Sequence, residues 1–174
     1  MEKVRVVVID DSAFNRETIV DILRTHPDVE VIGTAEDGEK GLKLVMSLQP
    51  DLVTLDLEMP RMDGFTFLRV LMAQKPMPVI VVSSHDRPND VFRALELGAL
   101  DFISKPSHFF PEEVDILRGE ILSKVLAARA SVLGSQAWRP KEMPLTDVSK
   151  IRGIAHPSDG VRRLVCVGAS TGGP

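Results

Sequence analysis

Asp51-Leu-Val-Thr-Leu-Asp-Leu-Glu-Met-Pro60 is the stretch whose reading decides the fold. Apolar Leu52, Val53 and Leu55 lead to an acid, Asp56, and then to the turn signal Met59-Pro60. A short apolar run closed in this way predicts a strand buried on both faces. The Asp56 carboxylate would stand where that strand leaves the sheet, the edge at which open parallel sheets bind their ligands.

The flanking sequence repeats the pattern. Val4 to Ile9 reads as a buried first strand that ends in Asp10-Asp11-Ser12, before a helical pattern carrying Phe14, Ile19, Ile22 and Leu23 as far as Pro27. Val29 to Thr34 is a shorter strand, and Asp37 is placed to cap a helix with Leu42, Val45 and Leu48 that Pro50 stops. After the central strand and the turn Pro60-Arg-Met-Asp-Gly64, Phe65, Leu68 and Leu71 mark a third helix. Val79 to Val82 forms a fourth strand closed by Ser83-Ser84. Asn89 then caps a helix through Leu97, with Gly98 as its left-handed C-terminal residue. Leu100 to Ser104 is a weak fifth strand ending in Lys105-Pro106, and a helix from about Pro111 aligns Val114, Leu117, Ile121, Val125 and Ala128. Five strands alternating with five helices predict a doubly wound parallel α/β domain.

The 174 residues suffice for one domain of ordinary size and a remainder. With 44% apolar and 26% charged residues the chain has a globular composition, and its net charge of -4 argues against a nonspecific nucleic-acid binder. No apolar run is long enough to insert in a membrane, and Met1-Glu-Lys does not open a signal peptide. A lone cysteine, Cys166, permits no internal disulfide and points to the cytoplasm.

Taken singly, Asp10 and Asp11 are ordinary helix caps, Asp56 and Ser83 ordinary turn residues, and Lys105 an ordinary surface charge. Together at one sheet edge they mean more. Three carboxylates repel one another unless a cation neutralises them, and Mg²⁺ suits a place with few carboxylates beside a phosphate. Lys105 and Ser83 supply an ammonium and a hydroxyl for phosphoryl oxygens, and Asp56 is a carboxylate able to form an acyl phosphate.

In order and spacing, Asp10-Asp11, Asp56, Met59-Pro60, Asp63-Gly64, Ser83, Gly98-Ala99, Phe102 and Lys105-Pro106 resemble a response-regulator receiver domain, over roughly Val4 to Val125. The resemblance implies the flavodoxin-like strand order 2-1-3-4-5. It implies that a histidine kinase phosphorylates Asp56, and that Asp11 and Asp56 hold Mg²⁺ with the Glu58 backbone carbonyl while Asp10 completes the acidic pocket. It also implies that Ser83 and Phe102 are switch residues and that Lys105-Pro106 is a cis peptide.

From Ser131 to Gly160 no period is sustained, and prolines, glycines and serines interrupt the chain. Arg163 to Val167 then forms a new apolar run closed by Gly168-Ala-Ser-Thr-Gly-Gly-Pro174, in which Ser170 fits the G-x-S-x-G nucleophile turn. This divides the chain into a receiver at 1–126, a linker at 127–161 and the first strand and turn of a second α/β domain at 162–174. Receiver, linker and turn together resemble the chemotaxis protein-glutamate methylesterase family. That resemblance implies a C-terminal domain in which Ser170 is the nucleophile of a Ser-His-Asp triad. Its activity would be methyl-ester hydrolysis and glutamine deamidation on methyl-accepting chemoreceptors. Phosphorylation of the receiver would relieve its block on its own catalytic domain. The sequence accordingly reads as a piece of a longer protein, inactive alone, with the triad histidine and aspartate beyond Pro174. His26, His85, His108 and His156 are read as surface or loop residues.

Three other readings compete. A DNA-binding transcriptional regulator requires a basic, helical segment where this chain has an apolar strand and a small-residue turn. An aspartate-dependent phosphatase needs a second acid two residues after its nucleophile, and Glu58 occupies that position, but the Asp10-Asp11, Ser83 and Lys105-Pro106 pattern fits a receiver better. A stand-alone relay receiver is disfavoured by the tail alone.

Overall fold

The computed structural model describes residues 3–134. Five strands, β1 (Val4–Ile9), β2 (Val29–Ala35), β3 (Leu52–Leu55), β4 (Val79–Ser83) and β5 (Asp101–Ser104), alternate with five helices. These are α1 (Ala13–Arg24), α2 (Gly38–Leu48), α3 (Gly64–Gln74), α4 (Pro88–Glu96) and α5 (Pro111–Gly134). The sheet is parallel in the order β2-β1-β3-β4-β5, so the stretch around Asp56 forms the central strand, and all four residues of β3 are buried.

Alternation along the strands divides the apolar side chains between two cores. Val6, Val8, Leu52, Ile80, Val82 and Ile103 pack under α1 and α5, and Val7, Ile9, Val53, Leu55, Val79 and Val81 pack under α2, α3 and α4. Both faces of the sheet are therefore covered, which is why its strands read as continuous apolar runs. Among the described residues, no helix is long and apolar enough to cross a membrane.

Several local expectations are corrected. Ser12, not the Asp pair, caps α1, its hydroxyl accepting from the Asn15 N–H at 3.3 Å, and α1 ends at Arg24, before Pro27. Phe14 lies on α1 but is 61% exposed, with its ring edge-on to Phe109. Helix α4 starts at Pro88 with Arg87 as its uncapped N-terminal neighbour, one residue before Asn89. Proline at a first helical position has its φ already set and loses no hydrogen bond. The fifth strand begins at Asp101, leaving Leu100 at the surface. Among the described residues no cis peptide occurs, so the Lys105–Pro106 bond is trans, the form an X–Pro bond favours unless its surroundings select the other. Helix α5, expected to carry Ala128, extends to Gly134. The second strand also runs one residue further than expected, to Ala35. Asp37 caps α2 and Gly98 takes a φ of 101°, as the sequence suggested.

Candidate functional site

The register of the sheet assembles the site. Ile9 and Leu55 are paired across β1 and β3, so Asp10 and Asp56 leave the sheet side by side, with the Asp56 N–H donating to Ile9 O at 2.9 Å. On the other side Ser83 pairs with Ser104, which delivers Lys105 to the same edge, and the Lys105 N–H donates to Ser83 O at 3.0 Å. Strand pairing thus fixes four of the candidate residues before any side-chain contact forms.

The side chains then converge. The Lys105 ammonium donates to Asp56 Oδ2 at 2.5 Å and lies 2.7 Å from Asp10 Oδ2. All three side chains are nearly closed to solvent, at 3%, 6% and 1% exposure for Lys105, Asp56 and Asp10. Asp56 Oδ1 turns to the backbone, accepting from the Leu57 N–H at 2.7 Å and the Glu58 N–H at 3.4 Å. Asp10 Oδ1 accepts from the Ser12 N–H at 3.0 Å, and Arg16 donates to the Asp10 carbonyl at 2.7 Å. Gly64, at the start of α3, allows this packing: a Cβ there would come within 2.3 Å of the Asp56 carbonyl oxygen.

Charge is not balanced within the cluster. Carboxylate oxygens of Asp10, Asp11 and Asp56 lie within 4.8 Å of one another, with Asp11 exposed and the other two buried. Burial raises the Asp10 pKa, Lys105 partly offsets that rise, and the neighbouring Asp56 adds to it. Lys105 pairs with Asp10 Oδ2 as well as with Asp56 Oδ2, so a single ammonium faces two buried carboxylates and a third nearby. Three clustered carboxylates with one ammonium between them are a donor set that fits a hard, oxygen-seeking divalent cation.

The remaining candidates sit around this centre. Ser83 is fully buried at the end of β4, and its hydroxyl accepts from the His85 N–H at 3.3 Å rather than touching Asp56 or Lys105. Phe102, on β5, is partly buried against the core beneath α2, α3 and α4. Glu58 is exposed, and its carboxylate pairs with His85 Nε2 at 2.9 Å. His85 is a loop residue, as the sequence predicts. Its place two residues after Ser83 was the available signal that it borders the site. Ser170 and the turn around it lie outside the described residues.

A second ion pair, which sequence reasoning did not identify, adjoins the loop after β3. Asp37, fully buried, accepts from the Lys40 N–H through Oδ1 at 2.9 Å and from Arg61 through Oδ2. The Arg61 hydrogen bond, foremost, holds the Asp37 carboxyl below its ordinary range.

The model of the response regulator receiver domain family matches residues 6–111. Across 98% of its length the chain is 49% identical to protein-glutamate methylesterase/protein-glutamine glutaminase 1 of Myxococcus xanthus, of which it covers 47%. Across its whole length it is 44% identical to protein-glutamate methylesterase/protein-glutamine glutaminase 3 of Geobacter sulfurreducens, of which it covers 51%. The chain therefore spans about half the length of these curated relatives. It is also similar to the crystal structure of the response regulator domain of Thermotoga maritima CheB. There the TM-score is 0.68 and the identity 36%, over 73% of this chain and 96% of that one.

Proposed function

We infer, for a chain that belongs to the response-regulator receiver family, that Asp56 accepts a phosphoryl group from a phosphohistidine of a chemotaxis histidine kinase. The observation that carries this reading is the Lys105 ammonium shared between Asp56 and Asp10 beside a third carboxylate. An Asp56 carboxylate oxygen forms a bond to phosphorus while the phosphorus–nitrogen bond to the donor imidazole breaks, and the leaving imidazole retains that electron pair. The product is an acyl phosphate. Mg²⁺, held by Asp11, Asp56 and the Glu58 backbone carbonyl, would offset phosphoryl charge. Asp10 would complete its acidic surroundings.

The chain's own residues do the rest. Lys105 holds Asp56 Oδ2 in a fixed direction, and its ammonium is positioned to follow the charge onto a phosphoryl oxygen. Ser83 would give up its contact with the His85 N–H to bond the phosphoryl group, and Phe102 on the neighbouring strand would respond to that movement. Water is kept from the reacting carboxylate by its burial.

In this reading the receiver at 1–126 is followed by a linker at 127–161 and the opening strand of a methylesterase and glutaminase domain at 162–174, with Ser170 as nucleophile. The substrates would be methyl-accepting chemoreceptors, and phosphorylation would relieve inhibition of the receiver's own catalytic domain. Support for this output over a DNA-binding one comes from the protein-glutamate methylesterase/protein-glutamine glutaminase relatives aligned along nearly the whole chain. The test is incubation with acetyl phosphate, with and without Mg²⁺. One Mg²⁺-dependent, acid-labile phosphoryl group should be gained by the wild-type chain and none by Asp56→Asn. Equal labelling of the variant would overturn the assignment.

A further inference from the structure

The turn between β3 and α3 carries Glu58 and follows directly from Asp56, so its shape decides what those residues can present to a cation. Three independent contacts fix it. Gly64 lies against the Asp56 carbonyl, where a Cβ would be 2.3 Å from the oxygen. Gly38, at the start of α2, lies against the Met62 carbonyl, where a Cβ would be 2.6 Å away. Between them Arg61 adopts a φ of 64°, bracketed by a tight turn in which the Met62 N–H donates to Pro60 O at 2.7 Å.

A residue with a Cβ is uncommon in that left-handed region, and a free loop would tend to leave it. What holds Arg61 there is its guanidinium, which reaches Asp37 and lies 3.8 Å from Glu36. Asp37 is itself immobile because its other oxygen caps α2 and its side chain is wholly buried. The turn is thereby tied to the residues that follow β2, beyond β1, by an ion pair separate from those of Lys105.

We propose that Arg61 and Asp37 are positioning residues. They clamp the β3–α3 turn so that the Asp56 carboxylate and the Glu58 backbone carbonyl meet a divalent cation in one preformed arrangement. This rests on the reading of the sheet edge as a cation and phosphoryl site. Charge alone argues the other way: removing a nearby positive charge should tighten the binding of a divalent cation. Weaker binding on loss of Arg61 is therefore a signature of positioning.

The experiment is calorimetric titration of the chain with MgCl₂, accompanied by thermal unfolding without metal. Outer residues that orient metal ligands typically contribute 10-fold or more to affinity, so Arg61→Ala should bind Mg²⁺ about 10-fold more weakly. Asp37→Asn added to Arg61→Ala removes the buried charge left unpaired, so thermal stability should recover while Mg²⁺ affinity stays low. Binding by Arg61→Ala as tight as wild type or tighter would overturn the clamp, as would recovery of affinity together with stability in the double variant. Absence of Mg²⁺ binding in the wild-type chain, or undiminished binding in Asp56→Asn, would overturn the site reading and the clamp with it. Normal binding there with no effect at Arg61 would overturn the clamp alone.

Discussion

After β5, one ammonium, Lys105, serves two buried carboxylates; in the turn between β3 and α3, one guanidinium, Arg61, serves a single buried one. The first arrangement sets three carboxylates, Asp11 included, against one ammonium, whereas at Asp37 each oxygen has its own donor. Both are cation–carboxylate contacts beside the same turn, yet only the first has bonding capacity left over. Unmet demand, rather than the presence of charge, distinguishes a place able to take up a ligand from a brace.

Breaking the two arrangements should therefore have different consequences. The largest loss is expected at Lys105, because Lys105→Ala leaves two buried carboxylates facing each other. Removing one partner of a buried ion pair costs about 3–5 kcal/mol, and urea unfolding without metal should fall within that range. A loss confined to phosphorylation, with stability unchanged, would mean that water already screens the cluster.

Asp37→Ala removes a helix cap and should cost about 1–2 kcal/mol, also read from urea unfolding. Mg²⁺ should stabilise this variant less than it stabilises the wild type, since Asp37 holds the turn that presents the cation ligands. Equal stabilisation of the two would contradict that hold on the turn.

Asp10→Asn should act in the opposite direction, with a smaller, pH-dependent gain. Burial raises the Asp10 pKa above its ordinary value of 3.8, so the unfolded chain releases that proton first as pH rises. The native fold loses stability between the unfolded and the raised native value, and retains that penalty at higher pH. In metal-free unfolding across pH, Asp10→Asn should lack this decline and be the more stable protein near neutrality. A parallel pair of pH profiles would contradict the imbalance assigned to the cluster.

The smallest effect is expected at Glu58, whose contact with His85 is exposed on both sides. Glu58→Gln should change stability by less than about 0.5 kcal/mol in the same unfolding assay. A larger loss would make this pair a second brace.

Much of the frame was legible in the sequence because two-sided burial gives a strong signal. Val4 to Ile9, Val79 to Val82 and the run before Asp56 could be read directly, and the carboxylates and Lys105 followed from their places at the strand ends. The join between Arg61 and Asp37 was not legible. It depends on a left-handed residue inside a turn and on a glycine from another element approaching a carbonyl, neither of which has a period. Phe14 misled for a related reason: it occupies an apolar position of α1 in sequence but is largely exposed, with Phe109 edge-on to its ring. The trans bond before Pro106 was equally beyond a motif, since isomer choice belongs to the surrounding contacts. The sequence made Ser170 a candidate by its motif, but the described residues end before it.

Reductive trapping offers the most direct test of Asp56 as the phosphoryl acceptor. Borohydride converts an aspartyl phosphate to homoserine, so wild-type protein treated with acetyl phosphate and Mg²⁺, then reduced and mapped by peptide mass spectrometry, should carry homoserine at position 56 alone. Homoserine at position 10 or 11 with Asp56 intact would contradict the assignment of the nucleophile.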